Sequence, residues 1–155
     1  MRRIISYLLV ATWMGVIFFA STEAGSPEHT SRILVPLLRW LKPDIAPETL
    51  KAVQTVVRKI AHLSEYGILS LLMWLGRKMD TGRFRQWSWR EFWIIIAVCA
   101  LYASSDEIHQ YFVETRTSSP VDVCIDTLGA SVSLCFLYLV GKVCRVWRVP
   151  AVSSN

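Results

Sequence analysis

The chain has 155 residues, 53% of them hydrophobic and 19% charged, with a formal net charge of +5. A soluble domain carries about a quarter charged residues. Here the charges are clumped between apolar stretches such as Ile4–Ala20 and Phe92–Ala103, which excludes a soluble globular protein and a disordered chain as the leading reading. The positive excess reads as a topological signal, with no nucleic-acid partner expected.

A membrane-spanning helix needs about 20 mostly apolar residues. Four segments qualify, at roughly Ile4–Ala20, Val57–Gly76, Phe92–Val113 and Val123–Val143. The first follows Arg2-Arg3 and has small residues near Ala20–Ala24, as a signal peptide would, but its apolar core is too long and a retained helix is expected. The stretch from Arg32 to Leu41, apolar with basic punctuation and Pro36, reads as a short helix lying at the interface with Trp40 at headgroup level. Pro47 suits the first turn of a helix, and Leu50, Val53 and Val57 continue at helical spacing into the second span. Cys99, Cys124, Cys135 and Cys144 show no CxxC spacing and read as reduced packing residues.

The basic residues give an orientation. Arg2, Arg3, then Arg77, Lys78, Arg83, Arg85 and Arg90, then Lys142, Arg145 and Arg148 all fall on one side of a four-span chain. The positive-inside rule makes that side cytoplasmic, with both termini inside. The expected fold is all-α, a multi-pass membrane protein with four transmembrane helices plus a short interfacial helix in the first outer connection. It forms one domain over residues 1–155, with the chemistry-bearing part at about 57–135.

The polar residues inside the spans carry the functional signal. Lys59, His62 and Tyr66 fall at i, i+3 and i+7, with Glu65 beside them; Asp106 and His109 are i, i+3, flanked by Glu107 and Gln110; Asp122 and Asp126 are one turn apart. All belong to the outer halves of their helices, with Glu65 and Asp106 roughly 10 Å below the outer surface. An ionisable group at a helix centre costs about 2.5–3.5 kcal/mol on insertion scales. These groups must therefore face inward and either hold the bundle together as ion pairs with Arg58, Lys59 and Arg116 or line an outward-opening site. The density of His and surplus carboxylates favours a site. His62, Glu65, Asp106, Glu107, His109 and Asp126 are the candidate acid–base groups. Lys59, Tyr66, Gln110, Arg116 and Asp122 are the candidate ligand-binding groups, with Arg116 suited to a phosphate or carboxylate. A divalent metal such as zinc could take His62, Glu65, Asp106 and His109, though nothing in the spacing demands one. Gly129, Ala130 and Ser133 form a small-residue stripe for close helix packing. Trp74, Trp87, Trp89 and Trp93 read as an interfacial belt. His29, alone in the outer loop, reads as solvated.

At these residues the chain resembles the VanZ-like family of small bacterial membrane proteins. The matching stretches are Lys59-x-x-His62-x-x-Glu65-Tyr66, Tyr102-Ala-x-x-Asp106-Glu107-x-His109-Gln110-x-Phe112-Val113, and Arg116-x-x-Ser119-x-x-Asp122-Val123-x-x-Asp126-Thr127-x-Gly129-Ala130. Glu114 stands where the family often has proline, and Ser133 where a second glycine is common. The resemblance implies a protein of the bacterial cytoplasmic membrane linked to teicoplanin resistance. Teicoplanin binds cell-wall precursors outside the membrane. An outward site is then expected to bind or modify a lipid-linked envelope component, with membrane lipids as partners. A transport or proton-relay module, or a structural partner of an envelope complex, is the alternative, and the sequence leaves open whether bonds are made or broken.

Overall fold

The computed structural model describes residues 2–23, 27–113 and 118–147, with backbone only for 2, 3 and 27–30. The described residues form five helices and no strand: α1 (Arg2–Ala20), α2 (Pro27–Leu41), α3 (Pro47–Thr81), α4 (Trp89–Tyr111) and α5 (Pro120–Val143). Local chemistry sets the boundaries. Pro47 opens α3 where no N–H is needed, and Gly82 closes it in the left-handed region at φ 69°, its N–H donating to the Lys78 carbonyl. Ser88 and Ser119 cap α4 and α5, each accepting a backbone N–H from the first turn.

As expected, α3 runs unbroken from Pro47 through the second apolar segment. The helix expected from Arg32 starts earlier, at Pro27, and passes through Pro36. Gln54 donates a 2.7 Å hydrogen bond to Ser31 and ties α2 to α3. Ile33 and Trp40 of α2 are each 78% exposed, an apolar face left uncovered by the bundle.

The bundle is greasy outside and polar within. Phe19, Trp93, Leu101, Ile108, Phe136 and Val143 are exposed, while His62, Lys78, Asp106, Glu107, Asp122 and Asp126 are buried. Water would favour the opposite distribution, so the chain is built as a membrane protein. Of the four expected spans, α4 and α5 are long and apolar enough by themselves to cross a bilayer. The apolar part of α1, Ile4–Ala20, is shorter than a full span, and α3 interrupts its apolar run with His62 and Glu65.

The α3–α5 seam is the most extensive helix contact. A Cβ at Gly129 would collide with the Leu63 carbonyl, and one at Gly67 would sit 2.5 Å from Ser133 Oγ. Ser70 donates across the seam to the Ala130 carbonyl at 3.2 Å. The small-residue stripe of α5 thus faces α3, as its composition implies. The apolar core, including Ile17, Tyr66, Leu69, Ile95, Cys99 and Leu134, lies between the two ends of the bundle. The cysteines are unbonded, and only Cys99 packs inside; Cys124, Cys135 and Cys144 are exposed.

The end of the bundle that holds Lys78 differs from expectation. Lys78 is 1% exposed and donates to Glu91 at 2.6 Å, so it is a buried ion-pair partner and not a free topological charge. Trp87 stacks at 5.0 Å from Tyr138, 5.5 Å from Trp147 and 5.7 Å from Trp89. These tryptophans close that end as a packed cluster. Trp93, by contrast, is 65% exposed.

Gly129→Leu should strongly lower the yield of folded protein, and Gly129→Ala should cost about 1–3 kcal/mol of stability, as overpacking does. Gly15→Ala, with open space around it, should be neutral. Thermal unfolding in detergent checks all three.

Candidate functional site

The end of the bundle opposite Lys78 and Glu91 gathers four helix segments: the C-termini of α1 and α4, the N-terminal half of α3 and the N-terminus of α5. Five buried ionisable side chains meet there, His62, Asp106, Glu107, Asp122 and Asp126, each under 7% exposed. His62 Nδ1 lies 3.2 Å from Asp126 Oδ1, at ion-pair distance but without the alignment of a hydrogen bond. Arg58 donates to Asp122 Oδ2 at 3.1 Å. The backbone N–H of Ser119, at the positive end of the α5 dipole, donates to Glu107 Oε2 at 2.8 Å. Asp106 Oδ2 accepts from Ser21 Oγ at 2.7 Å and from Gln110 Nε2 at 3.0 Å. His62, Glu107 and Asp122 each offer a ligand atom within 4.8 Å of one another.

The polar atoms are incompletely matched. His62 Nδ1, Tyr66 OH, Asp106 Oδ1, Glu107 Oε1, His109 Nδ1 and both oxygens of Asp126 are buried without a hydrogen-bond partner among the described residues. Each such atom costs about 1–3 kcal/mol. Among the described residues, Asp106, Glu107, Asp122 and Asp126 face one bonded guanidinium, Arg58, and one imidazole, His62. A network selected for stability alone would be closed and nearly balanced. This one is open and acidic.

Most of the expected site residues converge, with differences. Tyr66 is fully buried with its ring 6.1 Å from Tyr102. Gln110, not His109, completes the Asp106 contact. A step of four residues on a helix returns within about 40° of the starting face, whereas a step of three falls about 60° short. His109 instead packs on Phe18 of α1, ring centroids 4.5 Å apart. Glu65 is half-buried and close enough to His62 to act on its charge. Lys59 is half-buried, and the basic residue that reaches the cluster is its neighbour Arg58. The suggested metal set of His62, Glu65, Asp106 and His109 does not assemble; the converging donors are His62, Glu107 and Asp122. Arg116 and the side chain of His29 lie outside the described residues.

Sequence reasoning missed the contribution of α1. Ser21 reaches Asp106, Trp13 Nε1 donates to the Glu65 carbonyl at 2.9 Å, and the Met14 carbonyl accepts from Tyr102 OH at 2.7 Å. The available signal was depth: in an up-down bundle Ser21 closes the first span at the level of Asp106 and Gln110.

The sequence matches the VanZ/LLP1 family over residues 5–141. The chain belongs to that family. The match takes in α1 as well as the three polar helices, in keeping with the contacts of Ser21, Trp13 and Met14. The chain is also similar to callose synthase 4 of Arabidopsis thaliana, 28% identical over 120 residues. That similarity covers 73% of this chain but only 6% of that much longer curated relative. No solved structure matches.

Ser21→Ala should remove a hydrogen bond to a buried carboxylate and cost about 1.5–3 kcal/mol. Thr22→Ala, whose exposed hydroxyl donates to the Phe19 carbonyl, should cost far less. Paired thermal unfolding curves check the difference.

Proposed function

We propose that this VanZ/LLP1-family protein spans the bacterial cytoplasmic membrane four times, with both termini in the cytoplasm, and binds a lipid-linked cell-envelope component at its outer end. The observation that carries the reading is the set of buried polar atoms left without partners where four helix segments meet. Their desolvation is offset only if something binds there.

The two ends of the bundle support this topology. Ser6 packs against Gly76, and Lys78 bonds Glu91, so the start of α1, the end of α3 and the start of α4 share one end. That end carries Arg77, Arg83, Arg85 and Arg90 and is the cytoplasmic one. The 35 residues of α3 measure roughly 50 Å, longer than the ~30 Å hydrocarbon layer, so its first turns project outside beside α2. The uncovered Ile33 and Trp40 of α2 then rest on the outer leaflet. Its short apolar length does not disqualify α1, because its contacts with α3 and α4 hold it at the depth of the other spans.

Arg58, Lys59 and Arg116 supply positive charge for a phosphate-bearing headgroup. The family's association with teicoplanin resistance supports an envelope precursor as the ligand. The buried carboxylates beside His62 suit hydrogen bonding to a hydroxyl-rich head and proton movement within the site.

The test is native mass spectrometry of the protein released gently from its membrane. The parent and the exposed-site variant Thr55→Ala should carry a phosphate-bearing lipid. His62→Ala and Asp126→Asn should lose most of it, at least about tenfold, or 1.4 kcal/mol, at nearly unchanged yield. Equal lipid occupancy in all four would overturn the reading. A reporter fused after Asn155 should be active only in the cytoplasm; periplasmic activity would overturn the topology.

A further inference from the structure

The geometry points to a divalent-cation site at the outer end of the bundle, held by His62 of α3, Glu107 of α4 and Asp122 of α5. It deepens the proposed function, and its ion rests within that same polar cluster. Three observations converge on it. The three residues come from three different helices and offer ligand atoms within 4.8 Å of one another, all buried. Around an ion bound at about 2.1 Å, ligand atoms stand roughly 3–4 Å apart, so closing the set asks only for small side-chain rotations.

Both carboxylates also have one oxygen already hydrogen-bonded, and the imidazole has a carboxylate beside it. Asp126 Oδ1 faces His62 Nδ1 at 3.2 Å and leaves the other ring nitrogen for an ion. The Ser119 N–H holds Glu107 Oε2, and Glu107 Oε1 is buried with no partner among the described residues. Arg58 holds Asp122 Oδ2. Contacts that hold one oxygen of each carboxylate ligand and set a carboxylate beside the imidazole are the arrangement that orients metal ligands and sets their basicity. A structural ion-pair network has no use for it.

Charge gives the third reason. Asp106, Glu107, Asp122 and Asp126 outnumber their basic partners in a buried volume. Arg58, already paired with Asp122, does not offset that surplus for an anionic headgroup. A divalent cation offsets it and presents a positive centre to a phosphate oxygen. One imidazole and two carboxylates, with open positions for ligand oxygens, suit zinc or manganese better than calcium.

The experiment uses full-length protein with Cys124, Cys135 and Cys144 replaced by serine, so that exposed thiols bind no zinc. The protein is stripped with chelator, dialysed against zinc or manganese at fixed free concentration, and read by elemental analysis and thermal unfolding. The parent and Ser64→Ala should hold one ion per chain and gain several degrees of thermal midpoint with metal. Glu107→Gln and Asp122→Asn should hold less than a tenth as much at the same free metal and gain nothing. Asp126→Asn, which keeps all three ligands but loses the partner of His62, should bind about tenfold more weakly, a graded loss that misfolding would not produce. Metal binding by the parent no greater than by Glu107→Gln, or equal midpoint gains in all variants, would overturn the site. Lipid retained by chelator-stripped protein in such a failure would leave the lipid reading standing. Stoichiometric metal with no lipid carried by the parent would overturn only the lipid reading.

Discussion

Four buried carboxylates inside a bundle whose outside is hydrocarbon dictate much of this structure. Asp106, Glu107, Asp122 and Asp126 cannot face lipid, so α3, α4 and α5 must turn those faces toward one another. That requirement fixes helix rotation. It also explains why Ser21, Gln110, Arg58 and the Ser119 N–H appear where they do, each reaching one of these acids. The apolar side chains then cover the outer surface by default.

Close backbone approach makes the gathering possible. With Gly129 against the Leu63 carbonyl, α3 and α5 come near enough for His62 and Asp126 to meet. Leu63 follows His62 directly, and Gly129 lies three residues after Asp126, so the tightest packing sits within one turn of the site. Here packing and chemistry belong to one seam. The Lys78–Glu91 pair and the Trp87 cluster close the opposite end, so one end of the bundle is paired and the other is incompletely paired.

The helices were legible because hydrophobic length and helix-terminal residues are local signals: Pro47, Ser88 and Ser119 mark starts that the chain uses. The site was legible because charge in an apolar run is costly and must be explained. What the sequence hid was pairing. That Gln110 would displace His109 beside Asp106 depends on helix rotation, which only neighbouring helices decide. Ser21 looked like an ordinary residue after a span, and its bond to Asp106 is separated by 85 positions in the chain. Lys78 read as a surface charge because its partner Glu91 stands across a turn, and Trp147 lay beyond the last span with no local hint of its packing on Trp74 and Trp87. The metal-capable set shifted for the same reason: sequence spacing groups residues of one helix, whereas His62, Glu107 and Asp122 come from three.

The central claim is that the acidic cluster is a binding site whose burial opposes folding, and the stability of a neutralised cluster tests it most directly. The measurement is the thermal midpoint of the metal-stripped Glu107→Gln/Asp126→Asn double variant against the stripped parent. Both replacements keep shape and remove mutually repelling buried charge, so the account predicts a midpoint equal to or above that of the parent, with lipid binding lost. A midpoint several degrees below the parent would show that the charges hold the bundle together, and would contradict the account.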